Sequence, residues 1–416
     1  MTKEIIKIEK LVFGGQGMGV ISDGRKVFVW NALPGEKVTI NISKKKRDYL
    51  EAIADKIVEP SHQRVLPKEV NYLSTSPWQI MTYDAENKYK KEIIQDVFLR
   101  EKVNLPDFEF VYPNKMYEYR NKMEYSFWGD ESGLHLALHR RGSSGKQVVN
   151  GCKLAVPALD VAANNLLAEL QKINIRASVL KSVIARVSKT GEAVASLFVK
   201  DEFFPEIALP LKLKGLKVHY STHKSPASVI TKTLYLKGEN TLKDDLLGKK
   251  FEYNSDSFFQ INLPIFEQTL SVIKGFVDGQ DIVDMYGGVG SIGLVVSETP
   301  VIVEVDEATA EMAKLNIQHK RAKVIHASSE KALDQIKSNK FLIVDPPRAG
   351  LHKSVVNQIL RVRPKTIVYL SCNPVTQARD LKILDEEYKI KFFEGYNFFP
   401  RTPHIETLAI LQCNQE

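Results

Sequence analysis

From about residue 265 onward the chain alternates short apolar runs with amphipathic stretches, and this alternation restricts its fold more than any other feature. Strand and helix patterns in strict succession predict a parallel sheet covered on both faces by helices. Strands are expected at 281–285, 301–305, 323–326, 341–344, 366–370 and 390–394, with a last one at 405–411. In open sheets of this class, ligands collect beyond the carboxyl ends of the strands. The residues just past these strands are therefore the first place to look for chemistry.

Three strand ends carry distinctive residues. The first runs into Asp284-Met285-Tyr286-Gly287-Gly288-Val289-Gly290-Ser291, and residues 288–293 satisfy the GxGxxG pattern of dinucleotide sites. Two details argue against a dinucleotide. That fingerprint places its ribose-binding acid about 20 residues past the glycines, whereas Glu304 lies only a short helix beyond Gly293. Asp284, inside the strand end, is also out of place in a loop built to cradle two phosphates. A glycine turn flanked by carboxylates suits a cationic nucleoside such as S-adenosylmethionine, with Glu304 on the ribose hydroxyls. Packing alone is the competing explanation. The fourth strand ends in Asp345-Pro346-Pro347-Arg348-Ala349-Gly350, a stiff loop with few backbone donors. The fifth ends in Ser371-Cys372-Asn373-Pro374, a thiol just before a proline that can start a helix. Lone cysteines are commonly core residues, so position alone leaves core filler and nucleophile both open.

Upstream, short strand-like runs broken by Asp23-Gly24 and Pro34-Gly35 predict a five-stranded barrel over residues 1–58. Lys44, Lys45, Lys46 and Arg47 follow one another there, either as a phosphate contact or as a solvated charge run. After a linker at Pro60, an amphipathic helix is expected at 83–102, with Ile93, Ile94, Val97 and Phe98 on one side and lysines on the other. Strands are expected at 179–187, 193–199 and 216–220, and another ends at His139-Arg140-Arg141-Gly142-Ser143. Tyr117, Tyr119, Arg120, Tyr125 and Trp128 interleave aromatic and basic groups, as an RNA face does, but they could equally be a sheet's core. With 416 residues the chain can bury several cores, and a net charge of +8 suits a polyanionic partner. Three scattered cysteines, Cys152, Cys372 and Cys413, exclude a disulfide framework and a cysteine-only metal site. No apolar run reads as a leader or a membrane span, so a soluble, cytoplasmic protein without membrane association is expected.

Two resemblances follow from these residues. Gly15-Gln16-Gly17-Met18-Gly19, Val27-Phe28-Val29, Leu33-Pro34-Gly35-Glu36 and the lysine cluster resemble a TRAM domain, an OB-like RNA-binding barrel. YRNKMEYSF, NGCKLA, SFFQIN, DMYGGVG, VEVDEATAEMAKLN, VDPPRAGL, YLSCNP and PHIETLAIL, in that order, resemble the RNA 5-methyluridine methyltransferases. The resemblance implies an α/β chain: the TRAM barrel (1–58), a central α+β RNA-binding domain (59–250) and a doubly wound, Rossmann-like methyltransferase domain (251–416). It implies S-adenosylmethionine held by Gln260, Tyr286, Glu304 and Asp345, Cys372 as nucleophile and Glu406 as proton acceptor.

The chemistry calls for such residues. Carbon 5 of uracil attacks a sulfonium methyl only after a thiolate has added to carbon 6. A lowered thiol pKa is expected, with Arg348 contributing. The target base must leave its stack. Methylation of an exocyclic amine needs no thiol, and the cytosine-carbon class carries a cysteine in or beside the proline loop, which residues 345–350 lack. Uridine is therefore expected. Many members hold an iron–sulfur cluster, but residues 72–79 contain no cysteine and only Cys152 remains, so no cluster is expected and Trp78 should fill the space. The partner is RNA, with 23S ribosomal RNA preferred and transfer RNA the alternative, and the chain is expected to be a monomer. RNA cytosine methylation, a non-catalytic RNA-binding protein and a dinucleotide oxidoreductase are the rival readings.

Overall fold

The computed structural model describes residues 4–142, 145–226, 228–277, 279–318 and 321–414. Residues 1–3 of the expected barrel, Ser143 of the expected strand end and the last two residues lie outside these. The C-terminal half forms an eight-stranded sheet in the order Lys323–His326, Val301–Glu304, Ile282–Met285, Phe341–Val344, Thr366–Ser371, Glu406–Cys413, Tyr388–Tyr396, Phe110–Val111. The first five are parallel, and Glu406–Cys413 runs antiparallel to both its neighbours. Each strand expected here is present, because apolar runs buried on both faces leave a strand no alternative to the sheet interior. The chain order reverses between Ile282–Met285 and Phe341–Val344, which opens a crevice at their carboxyl ends.

The eighth strand, Phe110–Val111, comes from far upstream and pairs with Gly395 and Tyr396. Helix Tyr83–Arg100 packs on the same layer: Ile93, Ile94, Val97 and Phe98 share a core with Tyr369 and Phe393, and the Phe98 and Phe393 rings lie 5.1 Å apart. Residues 83–111 thus pack with the C-terminal sheet, although they precede the central sheet in sequence. The expected lysine face of the helix needs a correction. Lys90 is fully buried, because the loop that leads into Glu406–Cys413 covers that side. Lys90 Nζ donates to Glu86 Oε1 (3.0 Å), Asn397 Oδ1 (2.7 Å) and the Phe399 carbonyl (3.2 Å).

The central domain is a seven-stranded sheet in the order Lys232–Gly238, Gly215–Tyr220, Ala193–Val199, Leu180–Val187, Lys122–Asp130, Gly133–His139, Lys146–Val148. Helix Pro157–Lys172 covers one face. The other faces a hairpin, Thr241–Leu246 and Lys249–Asn254, whose charged alternation hid it from sequence reasoning. Tyr119 and Tyr125 are buried core residues, their hydroxyls bonded to the Pro400 carbonyl and the Asp160 carboxylate, so the RNA-face reading fails for them. Trp128 is exposed.

At the N-terminus, Ile5–Leu11, Gly17–Val20, Lys26–Trp30, Lys37–Lys45 and Tyr49–Glu59 close into a barrel around Ile8, Val27, Val29, Val38 and Ala52. Lys44 to Arg47 are exposed at the turn joining the last two strands. The barrel touches the C-terminal domain at Gly15 (φ +101°), whose carbonyl accepts from Trp78 Nε1 at 3.0 Å. A Cβ on Gly15 would sit 2.4 Å from Pro403, so this approach requires glycine. No described helix is long and apolar enough to cross a membrane.

Candidate active site

The site begins with the turn after Ile282–Met285. Tyr286 takes a left-handed φ of +89°, strained for a residue with a side chain, and holds it because the amides of Tyr286 and Gly287 both donate to the Val303 carbonyl at 3.0 Å. Its hydroxyl accepts from Ser329 Oγ at 2.9 Å. Gly287 packs against the next strand, where a Cβ would meet Ile302 at 2.5 Å. The helix that follows is a single turn, Gly293–Val296. A pyrophosphate site relies on the amides and dipole of a full helix start, so this turn lacks what the GxGxxG pattern promised.

Two carboxylates shape the turn from within. Asp284 is fully buried; its Oδ2 accepts from the Gly293 amide at 2.9 Å and its Oδ1 has no partner among the described residues. Burial pushes its pKa up to about 7, with the Glu304 charge adding and the Gly293 amide opposing. Glu304 is held at both oxygens, by the Gly288 amide at 3.0 Å and the Asp306 amide at 2.8 Å. Each of these oxygens keeps acceptor capacity for a hydroxyl. A flat nucleoside bearing a diol and a positive charge fits this donor set. Gln260, 7% exposed, follows a loop whose Phe258 lies beside Gly288.

At the next strand ends, the structure joins what the sequence separates. The Arg348 carbonyl accepts from Asn373 Nδ2 at 2.8 Å, which ties the proline loop to the cysteine turn. Asn373 caps helix Pro374–Leu384 through the Val375 amide. Ser371 pairs with Thr407 across the antiparallel strands, so Cys372 and Glu406 each lie one residue from this pair. Gln377 locks this register, donating to the Tyr369 carbonyl and accepting from Thr407 Oγ1 at 2.8 Å. Cys372 is half-buried and Glu406 is 5% exposed.

The electrostatics correct one expectation. The Cys372 thiol is not acidic: burial, followed by the charges of Glu406 and Asp345, pushes its pKa up to about 12, and Arg348 offsets only part of this. Burial also raises Asp345 to about 7, with Asp284 adding to the shift, and lifts Glu406 well above the carboxylate range. Burial and then the charges of Arg348, Arg120, Lys90 and Arg141 pull His404 down to about 3, so this imidazole is neutral at physiological pH. Cys152 is likewise a buried thiol, raised to about 11 by burial, with Glu69 and Asp160 adding to the shift and Arg120 opposing it. Trp78 is 1% exposed, with Lys90 Nζ 5.6 Å from its ring centre. Among the described residues no group of three or more His, Cys, Asp or Glu is placed to hold a metal ion.

The tRNA (uracil-5-)-methyltransferase family model matches residues 82–414, most of the chain. The chain belongs to that family. The TRAM model matches residues 3–54 of this methyltransferase, the segment that closes into the barrel. Curated relatives named uncharacterized RNA methyltransferases come from Clostridium tetani, at 30% identity over 98% of this chain and 97% of the relative, and from Thermotoga maritima, at 29% over 98% of each. The fold matches that of the Pyrococcus abyssi tRNA (uracil-54, C5)-methyltransferase solved with S-adenosyl-L-homocysteine, with a TM-score of 0.78, 24% identity, and coverage of 98% of this chain and 100% of that one. The protein is thus an S-adenosylmethionine-dependent RNA uracil-5-methyltransferase. Sequence reasoning missed two residues that bond the main chain around Gln260: Asn121 Nδ2 donates to the Gln260 carbonyl at 3.1 Å and Arg186 Nη2 to the Phe259 carbonyl at 2.8 Å. The cation inside the apolar run 183–187 was the available signal for the second.

Proposed function

We propose that Cys372 Sγ adds to carbon 6 of a uridine in structured RNA and that Glu406 then removes the proton from carbon 5. The observation carrying this reading is the convergence of Glu406, Asp345 and Arg348 on Cys372, whose thiol feels all three charges, just past the Ser371–Thr407 pair. Because the resting thiol is protonated, its proton must leave as the sulfur–carbon bond forms. Asp345, with its pKa near 7, is partly ionised at neutral pH and is the acceptor we assign. Gln260, Tyr286, Glu304 and a second oxygen of Asp345 would hold S-adenosylmethionine, which would supply the electrophilic methyl. After transfer, Glu406, whose raised pKa makes it a strong base once its own proton has passed to solvent, takes the carbon-5 proton, and the electrons of that bond expel the Cys372 thiolate, leaving 5-methyluridine.

Cys372→Ala should abolish transfer while S-adenosylmethionine still raises the unfolding temperature. Glu406→Gln should slow turnover roughly 10²- to 10⁴-fold and leave a protein–RNA species stable on a denaturing gel. Full activity in the first variant would overturn the nucleophile. Large-subunit 23S ribosomal RNA is the substrate we propose, for the combination of TRAM barrel and basic balance. Transfer RNA is the second reading, favoured by the full-length fold match to a transfer-RNA enzyme. Mass-spectrometric mapping of 5-methyluridine in RNA from a deletion strain separates the two.

A further inference from the structure

Arg186 lies in strand Leu180–Val187 and is fully buried. Its neighbours Val183, Ala185 and Val187 face the core under helix Pro157–Lys172. Arg186 points to the other face of the sheet, paired across with Lys122 and Val194. There its Nη2 donates to the Phe259 carbonyl at 2.8 Å, and its Nη1 to the carbonyls of Ser257 at 3.1 Å and Asn254 at 3.5 Å. Asn254 ends hairpin strand Lys249–Asn254, and Ser257 and Phe259 lie in the irregular loop between that strand and Gln260. The guanidinium also lies 5.1 Å from the Tyr253 ring centre. Burial pulls its pKa down to about 10, which leaves it charged at neutral pH. Burying a guanidinium against carbonyl oxygens is costly, and an apolar side chain would serve the sheet better. The loop is what benefits.

The same sheet face holds the loop twice more. Asp256, its side chain 3% exposed, accepts from Lys217 Nζ at 3.0 Å, is bonded to His219 Nε2 at 3.2 Å, and takes the Ser196 hydroxyl. Although burial pushes this carboxyl up, the His219, Ser196 and Lys217 contacts outweigh it and hold it well below the usual range. Asn121 donates from Nδ2 to the Gln260 carbonyl at 3.1 Å and from its amide to the Ile261 carbonyl at 3.2 Å. These anchors grip the main chain and Asp256. On the far side Phe258, 56% exposed, lies 3.7 Å from where a Cβ of Gly288 would stand.

We propose that Arg186 is a positioning residue for cofactor binding: from the central sheet it presets the 254–259 loop so that Gln260 stands at the glycine turn before any ligand arrives. This rests on the reading that Gln260 contacts S-adenosylmethionine. In steady-state assays Arg186→Met should raise the KM for S-adenosylmethionine roughly 10²-fold, leave the KM for RNA at the wild-type value, and be partly rescued in Arg186→Lys. An unchanged cofactor KM, or parallel loss of both KM values and of thermal stability, would overturn it. Hydrogen exchange on the wild-type protein gives a second test that needs no variant. Amides of residues 254–259 should be protected without cofactor, and free exchange that ceases only when S-adenosylmethionine is added sinks the proposal. Gln260→Ala, run in parallel, separates the two claims. A normal cofactor KM there overturns the role of Gln260, whereas a defect there beside a normal Arg186→Met overturns only the role of Arg186.

Discussion

Replacing Lys90 by methionine removes one buried charge with little change of volume. Lys90 and Glu86 have fully buried side chains 3.0 Å apart, and the lysine also serves Asn397 and Phe399 in the loop before Glu406. Breaking a buried pair costs about 3–5 kcal/mol, since the partner charge is stranded. Here Glu86 keeps the Arg401 amide at 2.9 Å, Asn397 Nδ2 at 2.9 Å and Arg401 Nη1 at 3.5 Å, so the low end, about 3 kcal/mol, applies at pH 7. The pH dependence then discriminates. Burial, opposed by Glu86, pulls the lysine pKa from 10.5 to about 8. Between those values the unfolded chain binds more protons than the folded one, so wild-type stability rises with pH by about 3 kcal/mol from this group. Lys90→Met lacks that gain, and the gap between the two proteins should widen from pH 8 to pH 10.5. Urea unfolding followed by tryptophan fluorescence, with Trp78 beside Lys90 as reporter, measures both quantities. A cost under about 1 kcal/mol at pH 7, or a gap that stays flat or shrinks, would refute the buried-pair account.

Other consequences follow from the same electrostatics. In the free enzyme, Cys372 alkylation by iodoacetamide should keep rising to pH 10 without a plateau, because its thiol is held near 12; a plateau below pH 9 would contradict that. For Asp284, whose pKa rises from 3.8 to about 7, stability is present at low pH and lost as pH rises through that window. Asp284→Asn should therefore gain stability relative to wild type between pH 5 and pH 8, read as relative urea midpoints, and a relative loss would count against it. Glu304→Gln should weaken S-adenosylmethionine binding by about 1.5–3 kcal/mol, read by calorimetry, if its carboxylate holds the ribose. Alanines at Lys44, Lys45 and Lys46 should lower the salt dependence of RNA affinity by about one counterion for each phosphate that is no longer neutralised, whereas an unchanged slope marks a merely solvated run.

Much of this protein follows from local pattern alone. Apolar runs such as Thr366–Ser371 make strands wherever they lie, and the turn chemistry of Asp23-Gly24 and Pro34-Gly35 suffices to outline a barrel. Cys372 and Asp345 are marked by their places at strand ends, whereas Glu406 becomes a candidate only through the family resemblance. The tertiary structure decided what those groups are like. The thiol expected to be acidic is raised, because the fold buries it and brings Glu406 and Asp345, distant in sequence, beside it. Lys90, on a helix face read as solvated, is covered by a loop some three hundred residues on. Phe110–Val111 joins a sheet whose other strands all lie beyond residue 280. Strand formation depends on the period of a few neighbouring side chains, which the sequence displays. Burial and pKa depend on which distant groups share a low-dielectric space, and only the folded chain brings those groups together.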